Sequence, residues 1–241
     1  MIAIFKREVR SSFHGMIGYV LTAFMLVATA IYFIALNLGY GLTDFGYYTL
    51  YRTVFVLLLY IPVLTMRCFA EERRTRTDQL LLTSPVSVWG IVLGKFFAAC
   101  TVFLLTLVCT GVYVIILSAY GNVSGMEVFV NYLGFFLMGC CLISVGLFMS
   151  TLSENQVASA ISTFGVILFL YLLDSIISSM SSVTMLSWLC TALKWVSLFA
   201  RFTDFSSGIL SLTGVIYMIS FAGIFLLLTV YTIEKRRWSE G

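Results

Sequence analysis

Residues Glu71–Ser87 read EERRTRTDQLLLTSPVS and lie between two long apolar runs. The stretch carries three of the chain's fourteen Lys and Arg residues and three of its eleven acids. That density of charge is costly in hydrocarbon, so the segment is a loop in water. It is also too short and too poor in core residues to fold as a domain. The remainder of the 241 residues is mostly apolar: 61% of the chain is hydrophobic and only 10% charged, against about a quarter charged for a soluble globule. Several runs of twenty or more residues contain one charge or none, which is the mark of repeated membrane crossing. Backbone in lipid must satisfy its own hydrogen bonds, and the period-two alternation of a membrane barrel is missing, so the crossings are helices. The expectation is an all-α membrane protein forming a single transmembrane domain over residues 1–241, with no cleavable signal before the first crossing.

Outward from the loop, the preceding crossing covers about Leu50–Phe69 and contains Pro62, which predicts a kink. Before it lie an aromatic, Gly-rich outer turn over Gly39–Tyr48 and a first crossing over Ile17–Leu38. Residues Ile2–Phe13 place Phe5, Val9 and Phe13 on one helical face, with Ile2 beside them. Within residues 1–14 this predicts an amphipathic helix in the membrane interface, with Lys6, Arg7 and Arg10 meeting headgroups. Beyond the loop, Thr83-Ser84-Pro85 reads as a stop and restart, because proline biases Ser84 away from helical backbone. The third crossing then runs from about Val88 to Ala119, with Lys95 placed to snorkel toward headgroups. A turn over Tyr120–Glu127 leads to a fourth crossing, Val128–Thr151. Its Gly134, Gly139 and Gly146 predict close packing inside the bundle. A fifth crossing, Val157–Leu173, comes after Ser153–Gln156 and ends at Asp174. Residues 176–207 are Ser-rich and broken, and read as an outer re-entrant or interfacial segment; the alternative is a further full crossing. The last crossing covers Gly208–Ile233, and Lys235, Arg236, Arg237 and Trp238 anchor its end.

Six crossings put both termini and the charged loop on one side. That side holds Lys6, Arg7, Arg10, Arg67, Arg73, Arg74, Arg76, Lys95, Lys235, Arg236 and Arg237, which is eleven of fourteen cations. The other side holds Arg52, Lys194 and Arg201. The positive-inside rule makes the richer side cytoplasmic, and a seventh crossing would put the basic tail outside. Cations spread along membrane edges set orientation and give no reason to expect nucleic acid.

Little catalytic chemistry is encoded. Cys68, Cys100, Cys109, Cys140, Cys141 and Cys190 form no C-x-x-C pair and read as small apolar fillers. Glu71 to Arg76 fits the E-E-x-x-x-R pattern of intramembrane prenyl-protein proteases, but that chemistry needs downstream histidines and the only histidine is His14. The sequence contains neither H-E-x-x-H nor G-x-x-x-x-G-K-[ST]. Mid-membrane carboxylates of the kind that couple ion flow are also missing. No metal or cofactor is expected on this chain. If it moves something, a partner supplies the energy.

The run Pro62–Arg74, then Leu80-Leu81-Leu82-Thr83-Ser84-Pro85-Val86-Ser87, then Ile91–Phe96, resembles ABC-2 type transporter permeases, nearest the gliding-motility-associated subfamily. Leu152–Gln156 with Ala158 and Ala160 resembles that family's turn between crossings four and five. Phe202, Asp204, Phe205, Gly208 and Ile209 resemble its entry to the sixth. The resemblance implies a type V exporter-like fold: six crossings, an N-terminal interfacial helix, and extracellular re-entrant helices before the last crossing. It implies a second permease chain, in a homo- or heterodimer, and a separate ATPase subunit that holds ATP and Mg. An auxiliary extracytoplasmic subunit stays open. It also implies a cytoplasmic coupling segment over 71–87. Glu71, Glu72, Arg73, Arg74 and Arg76 would meet the ATPase through ion pairs, and Leu80, Leu81 and Leu82 through apolar contact, with Ser84 and Pro85 setting the turn. The expected function is export across a bacterial cytoplasmic membrane; the alternative is a force-transmitting subunit that passes no substrate.

Overall fold

The computed structural model describes residues 1–42, 44–75, 87–121, 124–180 and 197–239, and among these the regular structure is helical with no strand. Six stretches are long and apolar enough to cross a membrane: Ile17–Leu38, Gly46–Arg74, Val88–Tyr120, Gly125–Leu152, Gln156–Leu173 and Leu212–Arg236. They are called spans one to six below. An N-terminal helix, Ile2–His14, and a short helix, Leu198–Ser206, complete the described architecture.

Span four is the axis of the bundle. It packs against spans two, three, five and six and against the short helix. Its glycines make this possible. A Cβ on Gly139 would lie 2.0 Å from Cε1 of Phe103, one on Gly134 2.4 Å from Cβ of Phe205, and one on Gly146 2.3 Å from Oγ1 of Thr65. Neighbouring side chains therefore occupy the space that a side chain on span four would need. Phe103 and Phe205 are fully buried as a result, and Phe103 stacks on Phe135 and Phe136 of span four. Cys100 and Cys140 also meet across this seam, with sulfurs 3.5 Å apart.

The fifth span, Gln156–Leu173, agrees with the expected crossing, and its helix continues past Asp174 to Met180. Span two was expected to kink at Pro62. Its helix carries Pro62 inside it and runs to Thr65, and the chain turns over residues 66–69 before resuming at Ala70–Arg74. Span three does start at the expected Val88. Ser87 is its cap, with Oγ accepting from the Gly90 N–H at 3.3 Å. Between spans one and two, the side-chain amide of Asn37 donates to the Leu42 carbonyl at 2.7 Å and its oxygen accepts from Thr49, tying the two spans together.

The N-terminal helix lies against spans one and three. Ile4 seats against Gly94, where a Cβ would come within 3.3 Å of Cγ2 of Ile4. Phe5, Val9 and Phe13 are half-buried, as their spacing predicts, whereas Ile2, on the same face but at the first residue of the helix, is exposed. Part of the outer segment expected over 176–207, residues 181–196, lies outside the described residues. The short helix comes next in the chain. It is capped by Ser197 and buries Leu198, Phe199, Phe202 and Phe205 against spans four and five.

Candidate functional site: a charged junction at the root of the loop

The break in span two leaves backbone groups without helical partners inside a bundle, where each would be costly. Side chains from two other spans satisfy them. Oγ of Ser150 in span four accepts from the N–H of Phe69 at 3.1 Å and of Ala70 at 3.2 Å. Nζ of Lys95 in span three donates to the Cys68 carbonyl and sits 4.8 Å above the Phe69 ring.

Lys95 was expected to reach outward to headgroups. It points inward instead, and only 2% of it is exposed. Its ammonium lies 2.8 Å from Oε1 of Glu72 and 3.4 Å from Oε1 of Glu8. Arg7 completes the group, with Nη2 at 2.9 Å from Glu72 and 3.2 Å from Glu8. Two cations and two carboxylates alternate, so the cluster is neutral and a buried ammonium is matched by fixed counter-charges. Burial alone would lower the pKa of Arg7, but hydrogen bonding and charge from Glu8, then from Glu72, outweigh it and raise the value. Sequence reasoning did not single out Glu8. The available signal was its position four residues after Ile4, which puts both on the side facing span three.

A second knot lies beside the first. Arg73 donates from Nη1 to the Thr151 carbonyl at 3.2 Å and from Nη2 to Oε1 of Glu154 at 2.7 Å. Arg236 donates to the same carbonyl at 2.6 Å. The N-terminal helix, the foot of span two, the head of span three, the turn after span four and the tail of span six therefore meet at one end of the bundle.

This changes how the loop-root residues are read. Ion pairs from Glu72 and Arg73 to a partner subunit were expected, but both side chains form their pairs within this chain. Glu71 and Arg74 are both exposed. Of the residues assigned to the membrane interface, Lys6, Arg10 and Lys235 are exposed, Arg7 is built into the cluster, and Arg236 is tied to Thr151. Arg76, Leu80, Leu81, Leu82, Ser84 and Pro85 lie outside the described residues, as does the side chain of Arg237. Among the described residues, no three His, Cys, Asp or Glu side chains gather around a metal-sized site. The junction offers mechanical connection: it clamps both strands at the loop's root.

Six apolar helices packed around a glycine-notched axis, with their connections knotted by charge at one end, define a multi-pass α-helical membrane protein. Residues 26–233 match the family described as ABC-2 family transporter protein, and the chain belongs to that family, as the membrane subunit of an ABC-2 type transporter. The match is to the family as a whole and does not single out its gliding-motility-associated branch. No curated protein matches the chain.

Proposed function

We propose that this chain is the permease of a bacterial ABC exporter, driven by ATP hydrolysis on a separate subunit that engages the loop over residues 71–87 from the cytoplasm. The observation that carries the reading is the rooting of that loop. Glu72 binds Lys95 of span three and Arg7 of the N-terminal helix, and Arg73 binds Glu154 after span four. A displacement of the loop is thereby delivered to several spans at once. Family membership supports the class of partner, and the lack of a phosphate-binding loop in the sequence agrees with an energy source outside the chain.

In this mechanism Glu71 and Arg74, with Arg76, set the register of the ATPase contact, and Leu80, Leu81 and Leu82 supply its apolar grip around the turn at Ser84 and Pro85. Exposed ion pairs contribute only about 0–1 kcal/mol each, so the leucines dominate adhesion. ATP binds its two states with different affinity, and that difference biases the bundle between inward-open and outward-open arrangements. A second permease chain completes the pathway. Both termini lie in the cytoplasm, where Lys6, Arg10, Lys235 and Arg237 meet anionic headgroups. The test is to replace Leu80–Leu82 with Asp and measure how much ATPase subunit co-purifies. Recovery should fall sharply; undiminished recovery rejects the grip.

A further inference from the structure

At the end of the bundle away from the charged junction, Arg52 has no hydrogen-bond or ion-pair partner among the described residues. Twenty residues of span two separate it from Glu72. The helix covers about 20 Å of that distance, from Arg52 to Thr65 at about 1.5 Å per residue, and the turn over 66–69 and the helix from Ala70 carry the chain on to Glu72. Arg52 therefore stands toward the opposite membrane edge. It lines a cavity of about 260 Å³ together with Tyr32 of span one, Tyr51, Val54 and Phe55 of span two, Tyr171 of span five and Phe199 of the short helix.

The walls are held by ring contacts. Tyr171 meets Phe199 at 5.2 Å and Phe55 at 5.9 Å, both edge to face, and Tyr51 stacks on Phe202 at 6.4 Å. The lining residues thus combine one arginine and three tyrosines with Val54, Phe55 and Phe199, and among the described residues no carboxylate lines the cavity. Phenols and rings alone would suit a cation, but Arg52 repels one. A guanidinium fork beside hydroxyl donors suits a phosphate, which accepts from both. The cavity is smaller than the roughly 300–1,000 Å³ that encloses a whole drug-sized ligand, so it fits a headgroup whose tails stay in the lipid.

We propose that this cavity binds the phosphate group of an anionic amphiphile at the membrane edge opposite the charged junction. Arg52 holds the phosphate, Tyr32, Tyr51 and Tyr171 orient it, and Val54, Phe55 and Phe199 receive the first carbons of the tails. The site requires neither the ATPase nor a second permease chain, so its failure and the failure of the coupling reading are distinguishable.

The experiment is calorimetric titration of the purified full chain in neutral detergent with dihexanoyl phosphatidic acid, dihexanoylglycerol and inorganic phosphate. The phosphatidic acid should bind, and Arg52→Ala should weaken it by about tenfold or more, the scale of a lost charge-assisted hydrogen bond. Arg52→Lys should lose less, and Tyr171→Phe, which keeps the ring and removes a donor, should show a smaller fall. Dihexanoylglycerol should be indifferent to Arg52. Equal affinity of the parent and Arg52→Ala for phosphatidic acid overturns the site. Inorganic phosphate binding as tightly as the lipid overturns the amphiphile assignment in favour of a free anion. Arg52 is exposed, so its variants should elute and melt like the parent. If Arg52→Ala does not, Arg52→Lys and Tyr171→Phe decide the question.

Discussion

Replacing Lys95 with Met tests the junction most directly. The side chain is 1% exposed, donates to the Cys68 carbonyl, and faces carboxylate oxygens at 2.8 and 3.4 Å. Met preserves the length and apolar stem, so packing is nearly conserved and the loss is electrostatic. Removing one partner of a buried pair costs about 3–5 kcal/mol, because the other charge stays buried. Glu72 keeps Arg7 at 2.9 Å, which places the expected cost near the lower bound, at about 3 kcal/mol. A snorkelling lysine would behave differently, since a surface substitution falls within about 0.5 kcal/mol. The assay is equilibrium unfolding in mixed micelles monitored by circular dichroism, on parent, Lys95→Met, Glu72→Gln and the double variant. The double variant should be more stable than the two single losses added together, because neutralising Glu72 removes the charge that Lys95→Met strands. Parent-like stability of Lys95→Met, or strict additivity in the cycle, would refute the buried network.

Two further outcomes test the packing on either side of it. Ser150→Ala removes the acceptor shared by the Phe69 and Ala70 N–H groups and should cost about 1–3 kcal/mol by the same unfolding assay; Ser150→Thr, which keeps a hydroxyl, should restore part of it. Gly139→Ala would push a methyl to within 2.0 Å of Phe103, whereas a Cβ on Gly165 meets nothing within 4 Å. The first should therefore destabilise by about 1–3 kcal/mol. The second should be neutral or gain up to about 1 kcal/mol of helix propensity, and equal melting of the two variants would contradict span four as the axis.

Lys95 and Gly139 show where the sequence is informative and where it is not. Gly134, Gly139 and Gly146 predicted the close-packed span because small residues in a lipid-embedded helix have few uses besides contact. The six crossings and the charged loop were legible for a comparable reason: the transfer cost of charge and bare backbone depends on composition along a short window. The finer positions were not. Pro62 carries the local signal for a bend, yet the break falls at residues 66–69, where Ser150 and Lys95 can satisfy the freed groups. Glu8 looked like one acid among interfacial cations until the third span was placed beside it.

Composition and local periodicity by themselves determined that this chain is a helical membrane protein and which stretches are long and apolar enough to cross. Only the tertiary structure decided that Lys95 turns inward, that Glu72 and Arg73 serve the chain itself, and that Arg52 borders an aromatic cavity. The physical reason is the range of the terms involved. Burial of an apolar helix is set by its own residues, whereas the partner of a charge comes from an element tens of residues away, and no local pattern records which one arrives.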